Sequence, residues 1–141
     1  MRAFLTFLCF ATPTSAWEFT PGLPCLLTHT EPGVFLELTF DPSKPLYTIT
    51  IKTPDPWPDA DVFGLRFSGP AELAIATDQH ELGHDNRSVT VADTGFGNVL
   101  NGLQFNRIAT ATLGDRAVSV SLQGAAEPVA AFRQCEISAG A

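Results

Sequence analysis

The feature that most constrains the fold of this chain is a repeated alternation of apolar and polar residues, broken at intervals by Gly, Pro and Asp. Val34–Phe40 alternates without a break, and Tyr47–Lys52 does so again after the turn-forming run Asp41–Pro45. Because successive side chains of a β-strand point to opposite faces, this period of two predicts a hairpin with one buried face. The side chains expected in the core are Val34, Leu36, Leu38, Phe40, Tyr47, Ile49 and Ile51.

The same period predicts further strands along the chain. Val62–Phe67 and Ser88–Val91 are two of them, and Gly114-Asp115 predicts a tight turn between strands at Arg107–Leu113 and Arg116–Leu122. The proline-rich run 53–58 is expected to be loop or sheet edge, because proline cannot donate to a ladder. The core candidates in these strands are Phe63, Leu65, Phe67, Ile108, Val118, Val120 and Leu122.

Two short helices complete the predicted fold. One covers about Asn98–Leu103 and the other about Ala126–Cys135, where Pro128 is tolerated in the first turn. Val129, Phe132 and Cys135 lie on one face of the second helix and are expected to contact a sheet. The predicted class is therefore mainly β: an antiparallel β-sandwich or partly open barrel with one or two short helices.

Residues 1–16 have the order of a secretory signal peptide. Arg2 supplies a positive charge, the apolar run Ala3–Ala11 follows, and Thr14-Ser15-Ala16 places small residues at a cleavage site. The apolar run is too short to span a bilayer, which needs about 20 residues. We therefore expect residues 17–141 to form a single β-rich domain in the periplasm or outside the cell, with no membrane anchor after cleavage.

The chain is acidic, with eight Lys+Arg against fifteen Asp+Glu. Loss of Arg2 with the signal peptide makes the rest of the chain more acidic by one charge. An acidic surface repels phosphate backbones, and no cluster of basic residues offsets the repulsion. Nucleic-acid binding is therefore not expected.

The cysteines fit an oxidising compartment. Cleavage would remove Cys9 and leave Cys25 and Cys135, an even pair that is most simply a disulfide tying the C-terminal helix to an N-terminal strand. The alternative is a reactive thiol, but neither cysteine has a neighbouring His or Lys in the sequence to activate it.

Several short motifs give the chain a family resemblance. It resembles a family of short exported proteins of alphaproteobacteria with no assigned activity, some of which are automatically named as the helicase component of the excinuclease. That name implies an ATP-driven enzyme, but the chain has no G-x-x-x-x-G-K-[ST] phosphate loop and is far too short. The motifs are Trp17-Glu18-Phe19, Cys25, Phe63–Pro70, Gly95–Leu103, Leu122–Ala126 and Ala131–Cys135.

One segment matches a catalytic motif. His80-Glu81-Leu82-Gly83-His84 has the zincin pattern, in which two histidines on one helix face bind Zn²⁺ and the glutamate activates a water. A helix from Pro70 to His84 would be required, and only His29, Asp93 or Glu127 could supply a third ligand. The sequence favours a hairpin instead, with Leu73–Gln79 paired to Ser88–Val91 and both histidines exposed to solvent.

Two other features are candidate binding sites. Gly95–Asn98, together with Asn101 and Asn106, places polar side chains near a glycine-rich turn; the alternative is a tight turn that leads into a helix. Trp57 lies between two prolines and is either a cap on one end of the core or an exposed anchor for a partner or sugar.

These observations lead to two hypotheses about function. The first is a non-enzymatic periplasmic or secreted module that binds a protein or small-molecule partner or supports the cell envelope, with no metal and no cofactor. The alternative is a small zinc hydrolase that uses His80, Glu81 and His84. No catalytic residue is assigned under the first hypothesis.

Overall fold

The computed structural model describes Leu8 and residues 16–139. The predicted signal peptide, apart from Leu8 and Ala16, lies outside the described residues. The described elements are β1 (Trp17–Thr20), β2 (Cys25–Glu31), β3 (Val34–Asp41), β4 (Leu46–Lys52), β5 (Phe63–Ser68), β6 (Leu73–Thr77), β7 (Glu81–Leu82), β8 (Ser88–Asp93), α1 (Gly97–Phe105), β9 (Ile108–Leu113), β10 (Arg116–Ser121) and α2 (Ala126–Ala139).

The strands form two antiparallel sheets. The six-stranded sheet has the order β1-β2-β3-β4-β8-β7, and the four-stranded sheet has the order β10-β9-β5-β6. The chain therefore has the mainly β, sandwich-like architecture that its alternating pattern predicts. Strands β1 and β2 were not among those predicted from the sequence.

The β3–β4 hairpin forms in the predicted register. Phe40 lies opposite Tyr47, and their rings stack with centroids 4.4 Å apart. All seven predicted inward-facing side chains of this hairpin are buried. On the opposite face, the hydroxyls of Thr39 and Thr48 are within hydrogen-bond distance. The hairpin thus buries one face, as a strand with a period of two requires.

The β9–β10 hairpin turns at Gly114-Asp115 as predicted, with Gly114 in the left-handed region. The prediction that Ile108 is a core residue is wrong, because Ile108 is 46 % exposed. Leu113 faces the core next to the turn, and the alternation then brings Ala109 and Ala111 inward and turns Ile108 outward. A large apolar residue in a strand is therefore not always the inward one.

Both predicted helices form, and each is longer than expected. Val129 and Phe132 of α2 are buried, and α2 packs against α1, β1 and β2. Gly102 of α1 lies so close to Phe67 that a β-carbon there would overlap the ring. Neither described helix has the length and apolar character needed to cross a bilayer.

A disulfide joins Cys25 of β2 to Cys135 of α2, as the cysteine count predicts, with the two α-carbons 6.6 Å apart. The bond closes a loop with a sequence separation of 110 residues. On the chain-entropy model, a loop of that length stabilises the folded state by about 4–5 kcal/mol. It holds the C-terminal helix against the six-stranded sheet.

Candidate functional site

The His80–His84 segment forms a strand and a turn. Glu81 and Leu82 make up β7 and pair with Thr90 and Val89 of β8. A turn follows, in which the Asn86 amide donates to the Gly83 carbonyl at 3.0 Å. The zincin arrangement requires both histidines on one face of a helix, and this segment does not provide it.

The hairpin expected in place of that helix is only partly correct. Ser88–Asp93 does form a hairpin with the preceding segment, but its partner is β7. Strand β6 pairs instead with β5, where Leu73 lies opposite Phe67 and Ile75 lies opposite Leu65. These apolar pairs place β6 in the four-stranded sheet, and residues 78–80 carry the chain across to the other sheet.

The two histidines differ in their surroundings. His84 is exposed in the turn, as expected. His80 is half-buried, with Nε2 2.8 Å from the Ala60 carbonyl, so the expectation that it is exposed to solvent is wrong. Its Nδ1 is buried and has no hydrogen-bond partner among the described residues. His80 thus fastens the crossing segment to the loop that precedes β5.

The proposed third metal ligands lie on separate elements. His29 is in β2, Asp93 ends β8, and Glu127 is in the first turn of α2. Within the described part of the chain, no three His, Cys, Asp or Glu side chains are grouped to hold a metal ion.

A cavity of about 650 Å³ lies between the two sheets. Its walls come from β4 and β8 of one sheet, β5 and β6 of the other, and the first turn of α1. The apolar lining includes core residues as well as Ile75 and Val91, which are only half-buried. The lining residues are Ile49, Phe63, Leu65, Ile75, Ala76, Thr77, Gln79, Val91, Ala92, Asp93, Gly95, Phe96, Gly97, Asn98 and Val99.

Polar groups lie among the residues that line this cavity. The Thr77 hydroxyl accepts a hydrogen bond from the Gln79 amide at 3.0 Å. The Asp93 carboxylate accepts one from the Thr94 amide at 2.6 Å and retains a second oxygen. Helix α1 begins at Gly97 without a side-chain cap, so amides of its first turn are available as donors beside Asn98. The cavity therefore combines an apolar interior with hydrogen-bonding groups of both kinds.

The asparagines near the glycine-rich turn have separate roles. Asn98 lines the cavity. Asn101 accepts a hydrogen bond from Arg133, which joins α1 to α2. Asn106 is buried, where it accepts from the Ala71 amide at 3.0 Å and donates to the Ala71 carbonyl at 2.9 Å. The structure thus brings only part of the predicted asparagine group to the cavity, because Asn106 holds the β5–β6 connection to the end of α1.

A second group of polar side chains lies at the other side of the sheets. The Trp17 indole N–H donates to the Ser121 carbonyl at 2.9 Å, and Glu31 accepts from the Ser121 amide at 2.8 Å. His29 stacks on Trp17 with ring centroids 4.3 Å apart, and its Nε2 is 2.9 Å from the Glu31 carboxylate. We call Trp17, His29, Glu31 and Ser121 the closed-edge cluster, because it occupies the backbone groups at the end of edge strand β10.

Trp57 is a core cap. Its side chain is 2 % exposed, and the Arg116 guanidinium lies 5.0 Å from the ring centroid. The same guanidinium donates to the carbonyls of Asp55 and Pro56. The interpretation of Trp57 as an exposed anchor is therefore wrong, because the proline-rich loop folds the indole inward.

Sequence reasoning missed most of the cavity lining. Alternation identifies Ile75 as an inward-facing side chain, but it does not show that the space beside it is unfilled. His29 and Glu31 lie two residues apart on β2, a spacing that places both on one face of a strand. That signal could have found the closed-edge cluster if β2 had been recognised.

Comparison of the chain with protein-family models, with curated proteins and with solved structures found no match. The resemblance to the alphaproteobacterial family therefore stays a prediction from the sequence motifs.

Proposed function

We propose that this chain is an exported, non-enzymatic binding module whose ligand site is the cavity between the two sheets. The observation that carries the proposal is the cavity itself, at about 650 Å³. Ligand sites of proteins are commonly clefts of about 300–1,000 Å³ with an apolar lining and a few polar groups. Both the size and the lining of this cavity support such a role.

The driving force for binding would be burial of an apolar group. The interior is lined by Phe63, Phe96 and Leu65, and half-buried Ile75 and Val91 lose further contact with water when the cavity is filled. Burial of apolar surface contributes about 25 cal/mol per Å². The polar groups of the lining then determine how a ligand is oriented.

The residues around the cavity support binding over catalysis. Among the described residues that line it, Asp93 alone has an ionisable side chain. General acid–base chemistry and nucleophilic catalysis normally require a second group within hydrogen-bond reach of the first. A carboxylate among apolar and amide side chains is instead suited to recognition.

Export and partner follow from the sequence. The pattern of residues 1–16 supports delivery to the periplasm or the medium, where the disulfide would be maintained. The acidic composition favours a protein or small-molecule partner over a nucleic acid.

The test is binding of the uncharged fluorescent dye N-phenyl-1-naphthylamine to residues 17–141. We expect saturable fluorescence enhancement that is lost in Ile75→Trp, because the indole would fill the cavity. Val118→Trp is the matched control, since Val118 is half-buried on β10 of the same sheet but does not line the cavity. Circular dichroism would verify that both variants fold. Absence of binding by the wild type, or equal binding by both variants, would overturn the proposal.

A further inference from the structure

We infer that the natural occupant of the cavity is an extended peptide segment of a partner protein, which adds as a strand to the outer edge of β6. This inference rests on the proposed function and names its ligand class. It is carried by three observations: the hydrogen-bonding direction of β6, the absence of a covering element along it among the described residues, and the position of the cavity beside it.

The register determines which backbone groups of β6 are open. Across a two-residue hairpin turn, the flanking residues Leu113 and Arg116 exchange hydrogen bonds. Alternation through β9 and β5 then makes Leu65 and Ile75 a hydrogen-bonded pair. Ala74 and Ala76 therefore direct their N–H and C=O groups away from β5, toward the outer edge.

Ser121 supports the same phase from the other side of the sheet. Alternation from Arg116 predicts that Ser121 directs its backbone groups away from β9. Those groups are the ones bound by Trp17 and Glu31. The two edges of the four-stranded sheet are thus equivalent in geometry, and one of them is occupied by side chains.

Strand β6 carries none of the usual protection of an edge. Its sequence, Leu-Ala-Ile-Ala-Thr, contains no charge and no proline, and its outward side chains are exposed alanines. Proteins commonly protect edge strands with lysine, proline, a bulge or a covering element. Ala74 and Ala76 leave room for another strand, and β6 is the last strand of its sheet.

The cavity lies at the same edge. Ile75, Ala76 and Thr77 line it from β6, and Ala92 and Asp93 line it from β8. Residues directly opposite in paired strands share a face, so the residues of an added strand that lie opposite Ile75 and Thr77 would point inward. The inferred segment therefore has apolar residues at alternate positions.

Strand β8 offers a second set of backbone groups. The Gly83 amide donates to the Ser88 carbonyl at 2.8 Å, so the even-numbered residues of β8 face β7. Strand β7 pairs only as far as Thr90. Ala92 thus directs its backbone groups into the space beside β6, and among the described strands none pairs with it on that side.

Charge adds a further requirement on the partner. Asp93 lines the cavity, and exposed Asp78 follows the end of β6. None of the described lining residues carries a positive charge. A basic residue at one end of the bound segment complements these carboxylates, so the partner is a peptide with alternating apolar residues and a terminal lysine or arginine.

The experiment titrates residues 17–141 with the synthetic peptide acetyl-Lys-Val-Thr-Leu-Thr-Val-Lys-amide. We expect it to displace N-phenyl-1-naphthylamine and to slow hydrogen exchange at the Ala76 amide. The key variant is Ala76→Pro, which removes an outward N–H that β5 does not use. Peptide affinity should fall by about tenfold while dye binding persists.

A chemical control keeps the test independent of that variant. The same peptide, N-methylated at alternate backbone nitrogens, keeps its apolar side chains but cannot pair as a strand. We expect the wild-type chain to bind it at least about tenfold more weakly. Equal affinity for both peptides, or no binding of either with dye binding intact, would overturn the strand-addition inference alone. Loss of dye binding by the wild type would overturn the proposed function as well.

Discussion

The two edges of the four-stranded sheet have the same backbone chemistry but different surroundings. At β10, the carbonyl and amide of Ser121 are bound by Trp17 and Glu31 from the six-stranded sheet. At β6, the outward groups of Ala74 and Ala76 border a cavity of about 650 Å³. Trp17 is 4 % exposed, whereas Ile75 is only half-buried.

The difference shows where this fold keeps room for a ligand. An edge strand presents unpaired donors and acceptors that either bind side chains of the same chain or stay available to another molecule. The closed-edge cluster uses two side chains to satisfy one residue, and it fastens the two sheets together in doing so. The β6 edge lacks such a fastening, and the space between the sheets stays open beside it.

The largest expected effect is on the closed edge. Trp17→Ala should lower the free energy of unfolding by about 3–5 kcal/mol, because it removes a buried indole and leaves a void against His29. Ile75→Ala, at the open edge, should cost only about 1 kcal/mol, because the side chain is half-exposed. Urea denaturation of both variants measures the difference, and equal losses would contradict the distinction between the edges.

An intermediate effect should follow from loss of the carboxylate that joins β2 to β10. Glu31→Ala removes the acceptor of the Ser121 amide and the partner of His29 Nε2. The expected loss is about 1–2 kcal/mol in the free energy of unfolding, measured by thermal or urea denaturation. Glu18→Ala is the control, since Glu18 is exposed on the neighbouring strand β1. A loss in Glu18→Ala as large as that in Glu31→Ala would show that the hydrogen bonds to Glu31 are not the cause.

The smallest effect concerns the β3–β4 turn beside the disulfide, where Phe40 lies opposite Cys25. The hydroxyl and then the amide of Ser43 donate to Asp41 and hold the pKa of its carboxyl below the ordinary value of 3.8, although burial opposes the shift. Because this pKa is lowered in the folded state, the associated stabilisation is present above 3.8 and is lost as the pH falls through the folded pKa. Ser43→Ala should raise the pKa of Asp41.

A carboxyl ¹³C titration of the wild type and of Ser43→Ala measures that change. The matched control is Ser119→Ala, because Ser119 is exposed on β10 and pairs with Thr110. The pKa of Asp41 should stay low in this control. An unchanged pKa in Ser43→Ala would mean that the serine hydroxyl does not hold the carboxyl.

The sequence predicted the parts of the fold in which alternation is uninterrupted. The β3–β4 hairpin, the β9–β10 turn and both helices formed near the expected positions, because local periodicity and turn residues specify them. Ile108 was placed on the wrong face because periodicity does not by itself define the phase of a strand. The partner of β6 was also wrong, because strand pairing depends on contacts between residues distant in sequence.

The candidate site was less predictable than the fold. A cavity is space that side chains fail to fill, and no residue type signals that space. The zincin motif, by contrast, was visible in the sequence, but the pairing of Glu81 and Leu82 with β8 excludes the helix that the motif requires. The glycine-rich turn pointed to the correct region, since Gly95, Gly97 and Asn98 line the cavity.

The Cys25–Cys135 bond has a mechanical consequence. Both cavity walls, from Ile49 to Val99, lie within the covalent ring that this bond closes. Tension applied between the segment before Cys25 and the segment after Cys135 would pass through the sulfur–sulfur bond and leave the ring unloaded. Trp17 lies before the ring, so a pull from that side would disturb the closed edge while the cavity and the β6 edge kept their shape.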